Sequence, residues 1–387
     1  MATFASGPRP GGAWSRETHD LMAPVRVAVT LEQCWHRVPG GTASSALDAV
    51  VALKARDDLE LVGVSARHRR PPPAPWVPSI PVRALPLSRL ALYESWHRLR
   101  RPAVERATGP VDVIYVTGMA MPPPTVPLVV TVHDLSFLHE PGHSTRRGVR
   151  FFHRCIELAR SDAALVACPS QATLDECARY GFDPARLRLV PWGVDATPAE
   201  PGEVERVRAT YHLHQPYVMW AGTVEPRKNL PTLLEAFRRL DRHGLDLVLV
   251  GPRGWNEDLE SLVGSADGRV RQLGFVPDAD KRALLAGASV FCLPSLREGF
   301  GLPVLEAMAQ GVPVVTSAGT AAGEVGGPAA VLVDPLDAPA LADALASVLD
   351  DPARAAELAQ ASLGRAGEFP WSRTAELLDQ AFHQVAR

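Results

Sequence analysis

Pro294-Ser295-Leu296-Arg297-Glu298-Gly299-Phe300-Gly301-Leu302-Pro303-Val304-Leu305-Glu306-Ala307-Met308-Ala309 sets the architecture of the whole chain. The apolar run Ser289-Val290-Phe291-Cys292-Leu293 before it reads as a buried strand. Gly299 and Gly301 bracket Phe300, so the backbone there can approach a ligand closely. Pro303 suits the first position of a helix, which should end before Gly311, with Pro313 beyond it. The amides of Gly299, Phe300, Gly301 and Leu302 would then lie at a helix N-terminus, which favours a bound phosphate. Glu298 precedes that turn and Glu306 falls in the expected first helical turn. Carboxylates accept hydrogen bonds from sugar hydroxyls. An anion cradle between two such acceptors has the shape of a site for a sugar diphosphate nucleotide.

Two glutamates eight positions apart, joined by Gly299-Phe300-Gly301-Leu302-Pro303, resemble the signature of retaining glycosyltransferases of family four. The resemblance implies the GT-B fold, an α/β architecture in which two Rossmann-like domains face each other across a cleft. It implies that Glu298 meets the donor sugar and Glu306 the ribose of the nucleotide. An ordinary strand-loop-helix turn with two solvated glutamates is the plainer alternative.

A chain of 387 residues suggests two or more domains. With 46% hydrophobic and 21% charged residues it has the composition of a soluble globular protein, and a net charge of -3 gives no general attraction to nucleic acid. No apolar run approaches the length of a membrane helix. The five cysteines, Cys34, Cys155, Cys168, Cys177 and Cys292, are odd in number and form no C-x-x-C pair. That argues against a disulfide or zinc framework and for a reducing cytoplasm. Lysine occurs only at Lys54, Lys228 and Lys281, so each is a less casual choice than the many arginines.

Residues 1–23 are rich in Gly, Pro and polar side chains without a signal-peptide core, and disorder is expected there; Met22 is a candidate start. Val25-Arg26-Val27-Ala28-Val29-Thr30 reads as the first strand, followed by a loop at Gly40-Gly41-Thr42 and a helix from Ala43 to Arg56. In the resembled family that glycine pair approaches the donor phosphates and the acceptor, although a plain turn would read the same. Leu59–Val64, Val111–Val116, Leu128–Val132 and Ala164–Ser170 are further strands, and Leu187–Asp195 is the last of the first domain. The Leu128–Val132 strand delivers His133 and Asp134 at its C-terminal end, where open α/β sheets bind ligands. The resemblance implies that His133 contacts the donor sugar, while Asp134 and Phe137 shape the acceptor side. Two basic amphipathic helices, near residues 89–101 and 145–160, suit either an anionic membrane surface or packing on the sheet with solvated arginines.

The domain boundary is expected in the linker Ala196–Gly202, dividing residues 24–197 plus 371–387 on the acceptor side from 198–370 on the donor side. The second domain opens with strand Tyr217–Ala221 and the loop Gly222-Thr223-Val224-Glu225-Pro226-Arg227-Lys228-Asn229. Arg227 and Lys228 there would neutralise a departing diphosphate. Many relatives carry another arginine near Thr223, and this chain does not. Strand Leu245–Gly251 ends at Gly251, near the expected base, and the resemblance places backbone contacts to the base at Phe275 and Val276. A helix from Leu336 to Leu349 should close the domain.

A dinucleotide-dependent dehydrogenase would need G-x-G-x-x-G after the first strand, which is absent. A sugar-nucleotide epimerase of the same fold and a noncatalytic sugar-nucleotide binding protein are the other rivals, opposed by the Glu298–Glu306 signature and by the set His133, Arg227, Lys228. No D-x-D motif stands at a strand end, so no metal and no cofactor is expected. The resulting expectation is metal-independent transfer of a hexose, with retention, from a nucleotide diphosphate sugar to a sugar or lipid-linked acceptor. The resemblance implies a front-face course, in which the leaving phosphate assists the acceptor's deprotonation. The segment His133-Asp134-Leu135-Ser136-Phe137 favours GDP-mannose as donor, with UDP-sugars open. Cell-envelope glycan, glycolipid or polysaccharide synthesis and a cytoplasmic place, peripheral at the membrane's inner face, follow as expectations.

Overall fold

A computed structural model of the protein describes residues 23–36, 39–139, 146–252, 254, 263 and 268–386. The expectations for residues 1–22, including Met22, and for Glu140, Pro141 and Thr145 lie outside these, as do the side chains of Arg146 and Arg147.

Thirteen strands build two parallel sheets among the described residues. The first comprises β1 (Val25–Thr30), β2 (Leu59–Ser65), β3 (Val82–Ala84), β4 (Val113–Val116), β5 (Leu128–Thr131), β6 (Ala163–Cys168) and β7 (Leu187–Leu189), in the order β3-β2-β1-β4-β5-β6-β7. The second comprises β8 (Tyr217–Ala221), β9 (Asp246–Val250), β10 (Val270–Gly274), β11 (Val290–Leu293), β12 (Val314–Ser317) and β13 (Ala330–Val333), in the order β10-β9-β8-β11-β12-β13. Strands covered on both faces need apolar residues at every position, which is why they read as short continuous apolar runs. In β1, Ala28 joins one core while Val27 and Val29 join the core on the opposite face. The strand order reverses beside β1 and again beside β8, and such switch points open a crevice at the strands' C-terminal ends. The C-terminal helix Trp371–Val385 buries Ala375, Leu378 and Phe382 in the core under β1. Arg56 holds it further through Asp379, at 2.5 Å.

Several local expectations need correction. Gly40 and Gly41 are not a loop: the helix is Gly40–Leu53, so they form its first turn. Within the stretch 187–195 the sheet ladder covers Leu187–Leu189, and Val194 makes an isolated parallel bridge to Pro370; between them Pro191 has no amide to donate to a ladder. Strand β3 follows the proline-rich segment and is too short to show a period. Residues 89–101 are an α-helix, Arg89–Glu94, running into a π-turn, Ser95–Leu99, that ends at Arg100 in the left-handed region. The helix expected over 336–349 begins at Ala338, and Pro352–Ala366 follows it before the domain closes.

Candidate active site

The helix after β11 is Leu302–Ala309, capped at Gly301 with φ +108°. Pro303 is therefore its second residue, and Glu306 lies in the second turn rather than the first. Backbone crowding accounts for the glycine at 299. A Cβ on Gly299 would stand 1.9 Å from the His133 carbonyl oxygen of the other domain, a distance no side chain tolerates.

The loop after β8 is stitched to this turn. Asn229 adopts the left-handed conformation that asparagine tolerates, ending a 3-10 turn at Pro226–Lys228 and starting the helix Leu230–Leu240. Its buried side-chain amide donates to the Pro294 carbonyl at 3.0 Å and the Pro335 carbonyl at 2.6 Å. The Leu296 amide donates to the Arg227 carbonyl at 2.8 Å. Arg227 and Lys228 are thereby fixed beside Glu298.

These three side chains form one network. Lys228 Nζ lies 2.6 Å from Glu298 Oε1, and Arg227 lies 3.0 Å from Glu298 Oε2. The Lys228 and Glu298 side chains are only 7% and 6% exposed. Burial alone would raise the Glu298 carboxyl, but Lys228 and Arg227 outweigh it and hold it at about 2. Burial pulls the Lys228 ammonium down against the attraction of Glu298. Arg227 has a second carboxylate, Glu225, at 2.7 Å, and the two glutamates raise its affinity for a proton despite burial.

Across the cleft, His133 donates from Nε2 to the Thr117 carbonyl at 2.8 Å. A carbonyl only accepts, so the proton is on Nε2 and Nδ1 is an acceptor. Burial holds the ring below its ordinary 6.5, in the neutral form. Nδ1 is buried and has no partner among the described residues. Asp134 accepts from the Ser136 amide at 2.9 Å, where the short helix Ser136–His139 begins.

A cavity of about 510 Å³ runs between the two domains, within the range of small-molecule sites. Its walls include His133, Asp134, Gly40, Gly41, Gly222, Thr223, Arg227, Lys228, Gly251, Phe275, Val276, Glu298, Gly299, Phe300, Gly301, Leu302 and Glu306. Phe137 is not among them. Its ring packs instead on Phe152, centroids 5.4 Å apart, and on His153. Sequence reasoning missed Trp76, Trp192, Glu225, Asp278 and Lys281, which also line the cavity. Lys281 Nζ bonds Glu306 Oε1 at 2.8 Å and Asp278 at 3.5 Å. The rarity of lysine was the available signal for Lys281, which is one of only three. Trp192 carried no signal; its ring meets Phe300 edge-on at 5.5 Å and His133 at 5.3 Å.

Two parallel-sheet domains with a nucleotide-sized cleft at their C-terminal strand ends define the GT-B class. The chain belongs to the glycosyl transferases group 1 family, whose model matches residues 205–364, and the glycosyltransferase family 4 model matches residues 39–198. It is 39% identical over 255 residues to the O-antigen chain mannosyltransferase B of Escherichia coli, covering 63% of this chain and 66% of that one. It is 34% identical over 253 residues to the MMP alpha-(1->4)-mannosyltransferase of Mycolicibacterium hassiacum, covering 62% and 60%. The chain thus spans less than two thirds of the length of both. It is 31% identical to the D-inositol 3-phosphate glycosyltransferase of Xylanimonas cellulosilytica, covering 68% and 67%. In fold it is similar to Anabaena HepE in complex with UDP and glucose, with a TM-score of 0.73 at 19% identity over 93% of this chain and 100% of that one. It is equally similar to the sucrose-phosphate synthase of Thermosynechococcus elongatus, with a TM-score of 0.73 at 23% identity over 93% and 98%.

Proposed function

We propose that this protein transfers a hexose, with retention of anomeric configuration and without a metal, from a nucleotide diphosphate sugar to an acceptor hydroxyl in glycan synthesis. The observation that carries the reading is the buried Arg227–Lys228–Glu298 network on the wall of the interdomain cleft. The diphosphate lies against Arg227, Lys228 and the amides at the N-terminus of Leu302–Ala309, where cations and helix dipole offset the charge that develops as it leaves. The donor sugar lies between Glu298, which accepts from hydroxyls, and the His133 ring. The nucleoside runs past Gly251, Phe275 and Val276, with its ribose at the Glu306 oxygen that Lys281 leaves free.

What Glu298 cannot do bears on the course of a retaining transfer, not on retention itself. A carboxylate held at about 2, with both oxygens on cations, is a poor nucleophile, so a covalent glycosyl-enzyme is disfavoured. The acceptor oxygen bonds the anomeric carbon on the face the phosphate leaves. The acceptor's proton passes to the departing phosphate oxygen.

GDP-mannose is the preferred donor. The first two relatives are named mannosyltransferases, and Asp278 at the base end offers a carboxylate to the donor groups of guanine. A UDP-sugar is the second reading, favoured by the likeness to a fold bound to UDP. The acceptor is a sugar or lipid-linked glycan reached by peripheral membrane contact from the cytoplasmic side. Leu90 and Leu99 are 60% and 61% exposed beside Arg89 and Arg98, and Arg150, Arg154 and Arg160 are exposed on the helix Arg146–Asp162. No helix among the described residues is long and apolar enough to cross a membrane.

The test is turnover of GDP-, UDP- and dTDP-sugars with EDTA present, the anomeric configuration of the product being read by NMR. GDP-mannose should be consumed with retention. Failure of all three donors to bind, an inverted product, or activity only after magnesium or manganese is restored would each overturn the corresponding part.

A further inference from the structure

Beside the cleft, the N-terminus of the helix Gln171–Arg179 meets two separate segments of the other domain. Ser170 caps this helix, its hydroxyl accepting from the Thr173 amide at 3.1 Å. The same hydroxyl donates to the Gly299 carbonyl at 2.7 Å, and the Thr173 hydroxyl donates to that carbonyl at 3.0 Å. The two amides Ser170 leaves unsatisfied, Gln171 and Ala172, donate to the carboxylate of Glu324 at 2.7 and 3.1 Å. Glu324 comes from the helix Ala321–Gly326, which packs on the Glu298 turn: a Cβ on Gly301 would stand 2.9 Å from Ala322 Cα.

We propose that Ser170, Thr173 and Glu324 form an interdomain latch that positions Glu298 and His133 for transfer. Gly299 adjoins Glu298 in the chain and touches the carbonyl of His133, so gripping Gly299 sets the approach of both residues at once. A charged carboxylate on free helix amides is a strong, directional contact. Its two halves lie on different domains, so it exists only when the cleft is closed. Arg227, Lys228 and Glu306 all belong to the second domain, so the latch affects nucleotide binding little. These are positioning residues that touch no substrate, and their effect on rate rests on the transferase reading above.

The experiment separates the latch from that reading. Nitroxides on Arg179→Cys and Glu357→Cys, both exposed and on opposite domains, report the interdomain distance by electron resonance without any donor. Glu324→Ala should broaden the distance distribution and move it outward, and Glu324→Gln, which keeps an acceptor oxygen, should restore much of it. In transfer assays Glu324→Ala should lower kcat by about tenfold or more, the scale of one lost charge-assisted hydrogen bond, with GDP affinity within about twofold of the parent. The Ser170→Ala, Thr173→Val pair should behave alike. An unchanged distance distribution in both variants would overturn the latch even if the protein proved not to be a transferase. A wider distribution with unchanged kcat would overturn the positioning role.

Discussion

Lys228→Met removes one charge from the buried network while keeping most of the side chain's volume. Two estimates bound its effect. At 2.6 Å the bare attraction between Lys228 and Glu298 is ~6 kcal/mol at an effective dielectric of ~20, before either group's desolvation is subtracted. Glu298 is held at about 2 instead of its ordinary 4.5, which at ~1.4 kcal/mol per pH unit is worth ~3 kcal/mol net of burial. Lys228 shares that with Arg227, and burial pulls the Lys228 ammonium itself down, so the Lys228–Glu298 pair is worth on the order of 2 kcal/mol at most. The assay is a double-mutant cycle of Lys228→Met and Glu298→Gln, read in urea stability near neutral pH, with a coupling of up to ~2 kcal/mol expected. The same variants enter single-turnover transfer. Loss of a preorganised cation at the leaving oxygen should slow Lys228→Met by about a hundredfold at saturating donor, while Lys228→Arg keeps partial activity. Coupling under ~0.5 kcal/mol would refute the energetic argument, since that is the range of an exposed ion pair. Wild-type turnover in Lys228→Met would refute the leaving-group role.

Glu306→Ala should weaken GDP binding by about 1.5–3 kcal/mol, the cost of losing a charged hydrogen-bond acceptor, and unchanged affinity in calorimetry would remove Glu306 from the ribose. Acid should destabilise the fold in two stages. Burial depresses His36 and His97 from 6.5 to about 4, and His97 Nε2 accepts from the Met121 amide at 3.1 Å. The unfolded chain therefore takes up protons first, and stability present above pH 6.5 is lost toward pH 4, by up to ~1.4 kcal/mol per pH unit for each ring. Glu298 adds a further loss between its ordinary 4.5 and about 2. A urea midpoint that stays flat from pH 7 to 5 would contradict the histidine stage, and His97→Gln should flatten it in part. Vesicles containing anionic lipid should float the protein at low salt, with Leu90→Ser, Leu99→Ser reducing the bound fraction several-fold; equal binding to neutral vesicles would count against the arginine faces.

Much of the donor side was legible because its determinants are local. An apolar run of four or five residues, a glycine turn and a helix follow one another from Val290 to Ala309, and periodicity together with Gly and Pro chemistry reports such order. Glu298, Arg227 and Lys228 could be named for their charge at strand ends. His133 was named for its place at the C-terminal end of the Leu128–Val132 strand and for the resemblance. Tertiary structure decided what these groups do to one another. Glu298 and Lys228 are 70 residues apart in the chain, and only the pairing of β8 with β11 brings them to 2.6 Å and pulls the carboxyl down. Lys281 on Glu306 and Trp192 on Phe300 likewise depend on packing between elements that no short window contains. The demand for glycine at 299 comes from the His133 carbonyl of the opposite domain, and the free Nδ1 of His133 from the Thr117 carbonyl that fixes its tautomer. Phe137 depends on packing in the same way: chain order puts it four residues past His133, and its ring lies on Phe152 of the helix Arg146–Asp162, centroids 5.4 Å apart.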